Sequence, residues 1–219
     1  KVKGKISIKD YENPEVSFDD TFYFSYNISK KSKVSILSDE ANNESLDRLF
    51  KIDSSIIIYN ENVNQLNFNN LEQSNLIILN QIKSVTTGLR TKLVDYVKQG
   101  KSLVFIPKKE GSIESYNELF SELNSNLIAP RLNQDIKLKS IDKKLPFFDG
   151  IFQSTNQRMN LPSFGSYFKS NSRSNTSEKN IISYVNQSPF LSETKYENGI
   201  FYKFNSTLFS NNHDFSKHA

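Results

Sequence analysis

Leu93-Val-Asp-Tyr-Val-Lys-Gln-Gly100, followed at once by Lys101-Ser-Leu-Val-Phe-Ile-Pro107, decides how the rest of the chain is read. The first half completes a helical stripe that starts near Thr86: Leu89, Leu93, Tyr96 and Val97 share one face. Gly100 stands where a helix can end on a left-handed residue. The second half is apolar without alternation from Leu103 to Ile106. A strand reads this way when helices cover its sheet from both sides. Helix, glycine and unbroken apolar strand form one step of a parallel α/β sheet.

The same rhythm extends outward. Upstream, Val34–Leu37, Ile56–Tyr59 and Leu76–Leu79 are further short apolar strands. A short helix with Leu46, Leu49 and Phe50 on one face lies between the first two, and Asn60–Asn70 reads as an Asn-rich connection. Downstream, Ser112 caps a helix that turns Ile113, Tyr116, Phe120 and Leu123 inward. Residues 130–180 look irregular, with Ser170–Ser177 as a mobile loop. Ile181–Val185, Phe190–Tyr196 and Ile200–Asn205 are strands, and Glu197-Asn198-Gly199 joins the last two as a hairpin.

Residues 1–30 read as a separate β segment, with strands at Val2–Ile8 and Thr21–Ile28 and turn signals at Asn13-Pro14 and Asp19-Asp20. Phe22, Phe24, Tyr26 and Ile28 share one face. A lone hairpin with such a face is sticky and barely stable, so it is expected to pack on the α/β body. Residues 31–219 then form one α/β domain: three layers, a mostly parallel sheet and an antiparallel hairpin at one edge.

Composition removes whole classes of chemistry. The chain of 219 residues has no cysteine, which excludes disulfides, thiolate metal sites and a cysteine nucleophile. Its two histidines, His213 and His218, stand five apart near the end and fall short of a zinc site. With 17 Phe and 10 Tyr the chain is no disordered polypeptide. The net charge of +4 is interspersed, and lysine far outnumbers the arginine expected at phosphate and guanine contacts, so nucleic acid is not the expected partner. No apolar run approaches a membrane span. The sequence starts at Lys1 in what reads as a β segment and stops at Ala219 without a finishing element, so we expect a soluble fragment of a larger protein.

Ligands of open α/β sheets bind beyond the carboxyl ends of the strands. Those ends carry Ser38-Asp39-Glu40, Asn80-Gln81 and Pro107-Lys108-Lys109. The set is close to that of a phosphoreceiver site, but Asn80 cannot accept a phosphoryl group as an aspartate would. Asp39, Asn80 and Lys108 are the candidate ligand-binding residues, against the alternative of ordinary polar strand ends. No glycine-rich phosphate loop and no GxSxG elbow occurs. Gly100-Lys101-Ser102 has the wrong order, following a helix and preceding a strand. No catalytic residue, cofactor or metal is expected.

The strand order and the Leu93–Pro107 segment resemble the class I glutamine amidotransferase-like fold, a flavodoxin-like three-layer sandwich, with its "helix, YVxxGG, apolar strand" phrase. In that superfamily such a strand delivers a cysteine nucleophile; here the turn reads Ile106-Pro107-Lys108-Lys109. A wider set is similar to one family. It comprises Phe18-Asp-Asp-Thr-Phe-Tyr-Phe-Ser25, Leu145-Pro-Phe-Phe-Asp-Gly-Ile-Phe152, Leu161-Pro162, Pro189-Phe-Leu191, Asn198-Gly-Ile-Phe-Tyr-Lys-Phe-Asn205 and Asp214-Phe-Ser-Lys-His-Ala219. These resemble the BatA-type (aerotolerance-regulator N-terminal) membrane proteins of Bacteroidetes. The resemblance implies a parent anchored in the inner membrane, this region facing the periplasm, and other envelope proteins as partners. It carries over no catalytic residue.

Two functions are expected on this reading. The first is a non-catalytic interaction or sensing module of a membrane-anchored envelope protein. The alternative is a small-ligand or carbohydrate-binding domain at the strand ends, with weak hydrolase activity as its extreme form. An active amidotransferase would need a thiolate that this chain cannot supply.

Overall fold

The computed structural model describes residues 2–7, 21–26, 31–40, 43–139, 141–151, 161–174 and 176–208. His213, His218, Ile28 and the turn signals at Asn13-Pro14 and Asp19-Asp20 lie outside them, as does the side chain of Tyr26. In chain order the strands and helices are β1 (Val2–Ser7), β2 (Thr21–Tyr26), β3 (Ser32–Ser38), α1 (Glu44–Lys51), β4 (Ile56–Asn62), α2 (Phe68–Gln73), β5 (Leu76–Asn80), α3 (Thr87–Lys98), β6 (Ser102–Ile106) and α4 (Ile113–Glu122). There follow β7 (Leu127–Leu132), β8 (Ile136–Lys137), a 3₁₀ turn at Pro146–Phe148, β9 (Ser163–Phe164), β10 (Tyr167–Asn171), β11 (Lys179–Ser183), β12 (Pro189–Tyr196) and β13 (Gly199–Phe204).

Seven strands form one sheet in the order β11-β12-β13-β6-β5-β3-β4. Pairing is parallel from β13 to β4 and antiparallel from β11 to β13. Alternation along single strands divides the apolar residues between two cores. Leu37, Ile77, Leu79, Leu103, Phe105 and Phe201 meet α2, α3 and α4 on one face. Val34, Ile36, Ile78 and Ile106 meet Leu46 of α1 and Ile136, Leu138, Phe164 and Tyr167 on the other. This is a flavodoxin-like, three-layer α/β fold. No helix among the described residues is long and apolar enough to cross a membrane.

Helix α3 forms where its caps allow. The Thr86 side chain accepts from the Leu89 N–H, and Gly100 follows the last turn at φ +90°. Its stripe of Leu89, Leu93, Tyr96 and Val97 is buried, as are Tyr116, Phe120 and Leu123 of the next helix region. Ile57, Leu76 and Val104 are only partly buried. The β12–β13 hairpin closes through Glu197-Asn198, and its left-handed residue is Glu197 at φ 50°. Gly199 serves packing instead: a Cβ there would stand 2.1 Å from the Val97 carbonyl oxygen, so glycine lets the hairpin lie against the end of α3.

Several expectations are corrected. Among the described residues the β1–β2 ribbon pairs only with itself, and Phe22 and Phe24 on the apolar face are 65% and 37% exposed, so the expected burial of these two on the α/β body is not seen. Gly4 lies under the Phe24 ring, which gives the ribbon a local cover of its own. The Asn-rich connection contains a helix, α2, because the Asn67 side chain caps it by accepting from the Asn69 N–H. Leu49 of α1 is 60% exposed while Leu46 is buried. The irregular stretch holds a real ribbon, β7 against β10, despite Pro130 within it. In the expected Ser170–Ser177 loop, Ser170 and Asn171 belong to β10, the Arg173 N–H and the Thr176 hydroxyl reach the Asn126 side chain, and the Ser177 hydroxyl donates to the Lys195 carbonyl.

Candidate functional site at the carboxyl ends of the strands

The chain leaves β3 through α1 toward β4 and leaves β5 through α3 toward β6, on opposite faces and in opposite directions along the sheet. Those departures open a crevice between the carboxyl ends of β3 and β5, the place where this architecture binds ligands. Asp39 follows β3, Asn80 ends β5 and Lys108 follows β6, so the fold gathers all three candidates at that end.

Asp39 and Lys108 meet directly, with Nζ 2.7 Å from Oδ2. The Lys83 backbone N–H also donates to both Asp39 oxygens, at 3.1 and 2.9 Å. Asn80 is buried and donates through Nδ2 to Asn43 Oδ1 at 2.7 Å. Asn43 in turn donates to Ser38 Oγ at 3.2 Å and to Asn60 Oδ1 at 2.9 Å, and Asn60 donates to Asp47 at 2.9 Å. Asn43 occupies the N-cap of α1 without capping it, because its amide serves this chain of bonds instead. Asn80 Oδ1 is buried and finds no donor among the described residues. The next residue, Gln81, adopts φ 53°, a left-handed conformation that costs a non-glycine residue energy.

The elbow after β6 is equally occupied. Pro107 offers its carbonyl to the Thr207 hydroxyl at 3.1 Å. Beyond it, Ser112 N–H donates to the Lys83 carbonyl at 2.7 Å, and the Tyr116 hydroxyl donates to the Ile82 carbonyl. Burial pushes the Tyr116 phenol well up, so it remains a neutral donor that fixes the loop after β5. Among the described residues no group of three or more His, Asp or Glu could hold a metal ion. What the arrangement offers is recognition: one carboxylate–ammonium pair, one amide chain and one unmatched amide oxygen.

Sequence reasoning located the ends of the strands but missed the partners Asn43, Asn60 and Lys83. It also missed a second charged centre. Under α4, the Lys203 ammonium reaches Glu178 Oε2 at 3.0 Å, Ser125 Oγ at 3.2 Å and the Asn126 carbonyl at 2.5 Å. Ser125 Oγ and the Asn126 N–H donate to the same Glu178 oxygen, at 2.5 and 2.6 Å. Burial pushes the Glu178 carboxyl up, but Lys203, Ser125 and Asn126 together hold it below the ordinary carboxylate value. Burial pulls the Lys203 ammonium down, and Glu178 opposes that. The available signal was register: Lys203 lies two residues beyond Phe201 on β13, hence on the same inward face.

No family model matches the sequence, and no curated protein matches it. Solved structures do. A cytoplasmic protein from Salmonella typhimurium LT2 aligns over 82% of this chain and 90% of its own, with TM-score 0.64 and 13% identity. A ThuA-like protein from Bacteroides uniformis aligns over 84% of this chain and 85% of its own, with TM-score 0.57 and 13% identity. A β-galactosidase from Bacillus circulans aligns over 81% of this chain but 29% of its own, with TM-score 0.52 and 13% identity. At these identities the likeness establishes the fold alone, a flavodoxin-like α/β sandwich with a mostly parallel sheet.

Proposed function

We propose that the chain is a non-catalytic interaction or sensing module of a cell-envelope protein whose parent is anchored in the inner membrane, with this region facing the periplasm. The supporting observation is that the polar groups at the switch point are engaged with one another. Asp39 takes Lys108 and the Lys83 N–H, and Asn80 takes Asn43, in a chain without cysteine. A nucleophile or general base needs a free reacting atom within hydrogen-bond reach of substrate. The envelope setting rests on the resemblance to BatA-type proteins.

The test pairs chemistry with contact. Purified protein should release no ammonia from glutamine above a heat-treated control. A photo-crosslinking residue at Tyr23 should capture a defined envelope protein in intact cells, while one at Lys98 should not. Turnover that disappears in Lys108→Met would overturn the reading. A second reading has its own support: the unmatched Asn80 Oδ1 and the strained Gln81 fit a small ligand held by Asp39, Asn80 and Lys108. The glycosidase among the structural neighbours bears on that reading only through the shared fold.

A further inference from the structure

A second polar cleft, of about 470 Å³, opens between the edge strand β11 and the β7–β10 ribbon. Asn126, Ser170, Glu178, Asn180, Asn186 and Ser188 line it, and Pro189 contributes the one apolar side chain. Neither Asp39 nor Lys108 takes part, so a role for this cleft is independent of the function proposed for the chain as a whole.

We propose that this cleft binds a small neutral polyhydroxylated ligand, of the monosaccharide or disaccharide class. Its volume falls in the range of small-molecule pockets, about 300–1,000 Å³. Charge selects against ions. The lining has a single ionisable group, Glu178, and Lys203 already sits 3.0 Å from its Oε2. An anion would find no uncommitted cation in the lining, and a metal ion would compete with that ammonium. An apolar ligand would find almost nothing to cover. Amides and hydroxyls both donate and accept, which matches the adjacent hydroxyls of a sugar ring. One lining residue, Ser170, also keeps a buried hydroxyl oxygen that finds no partner among the described residues. Buried polar atoms in folded proteins are nearly always paired, so an unmatched hydroxyl beside the cleft points to an outside partner.

The experiment is a titration of the full chain with glucose, galactose and N-acetylglucosamine, followed by amide chemical shifts and calorimetry. The expected result is saturable shifts at Asn126, Asn180 and Ser188 for at least one sugar. Asn180→Ala should weaken that binding about fivefold, the loss of one neutral hydrogen bond. Ser188→Trp should abolish it by filling the mouth, and Asp39→Asn should leave it unchanged. If either cleft variant fails to fold, the wild-type shift map decides alone. No saturable shift with any of the three sugars through the millimolar range, or shifts centred on Asp39, Asn80 and Lys108, would overturn the proposal.

Discussion

Two lysine–carboxylate pairs in this protein are alike in chemistry and different in setting. At the strand ends, Lys108 and Asp39 keep 33% and 20% of their side-chain surface in water. Under α4, Lys203 and Glu178 keep 1% and 0%. Water screens the first pair, so forming or losing it changes little. The second has no solvent to fall back on, and each partner exists as an ion only because the other is there. The lesson is that charge in this fold does two jobs. The partly exposed pair ties the turn after β3 to the elbow after β6; the buried pair fastens β13 to the α4–β7 connection and to the residue just ahead of β11.

Breaking the buried pair should therefore have the largest effect. Lys203→Met strands Glu178 without a counter-ion and should cost about 3–5 kcal/mol, read as a lowered urea midpoint. Adding Glu178→Leu should recover much of that loss, since an apolar pair of similar volume needs no solvation.

Acid should loosen the same region first. The Glu178 carboxyl is held below its ordinary value of 4.5 in the folded state. Its contribution is then complete above the unfolded-state value and is lost as pH falls through the folded-state value. Thermal melts between about pH 6 and pH 3 should show a steeper loss for wild type than for Glu178→Gln. Equal slopes would place the acid-sensitive groups elsewhere.

The partly exposed pair should respond more weakly. Lys108→Met should cost less than about 1 kcal/mol, and concentrated salt should erase the difference from wild type. The smallest effect is expected at the N-terminus. With Phe22 and Tyr23 exposed, removal of residues 1–26 should move the Tm by no more than a few degrees, about 2–4 °C per kcal/mol in a chain of this size. A marked drop would mean that the ribbon braces the α/β body after all.

How far the sequence went depends on where each signal is stored. The parallel strands and α3 and α4 were legible because their information is local: unbroken apolar runs at Ile56, Leu76 and Leu103, Thr86 and Ser112 as caps, Gly100 as terminator. The asparagine tract hid α2, since Asn67 caps a helix as readily as it opens a turn. The β7–β10 ribbon was hidden by Pro130 and by pairing across a separation that no local pattern encodes. Asp39, Asn80 and Lys108 could be placed by the strand-end rule alone. Their partners could not, because Asn43 looks like any N-cap and Lys83 contributes only its backbone. Lys203 went unnoticed because of its chemistry: nothing in Phe201-Tyr-Lys-Phe204 marks a lysine as buried. The register puts it with Phe201 on the buried face.

The most direct measurement is a pair of double-mutant cycles, Lys108→Met with Asp39→Asn and Lys203→Met with Glu178→Gln, each run at low and at high salt. The expected coupling for Lys203 and Glu178 is several-fold larger and nearly unchanged by salt, while that for Lys108 and Asp39 is under about 1 kcal/mol and vanishes in salt. Equal couplings with equal salt dependence would contradict the division of this fold into a buried fastening and a solvent-screened pair at the strand ends.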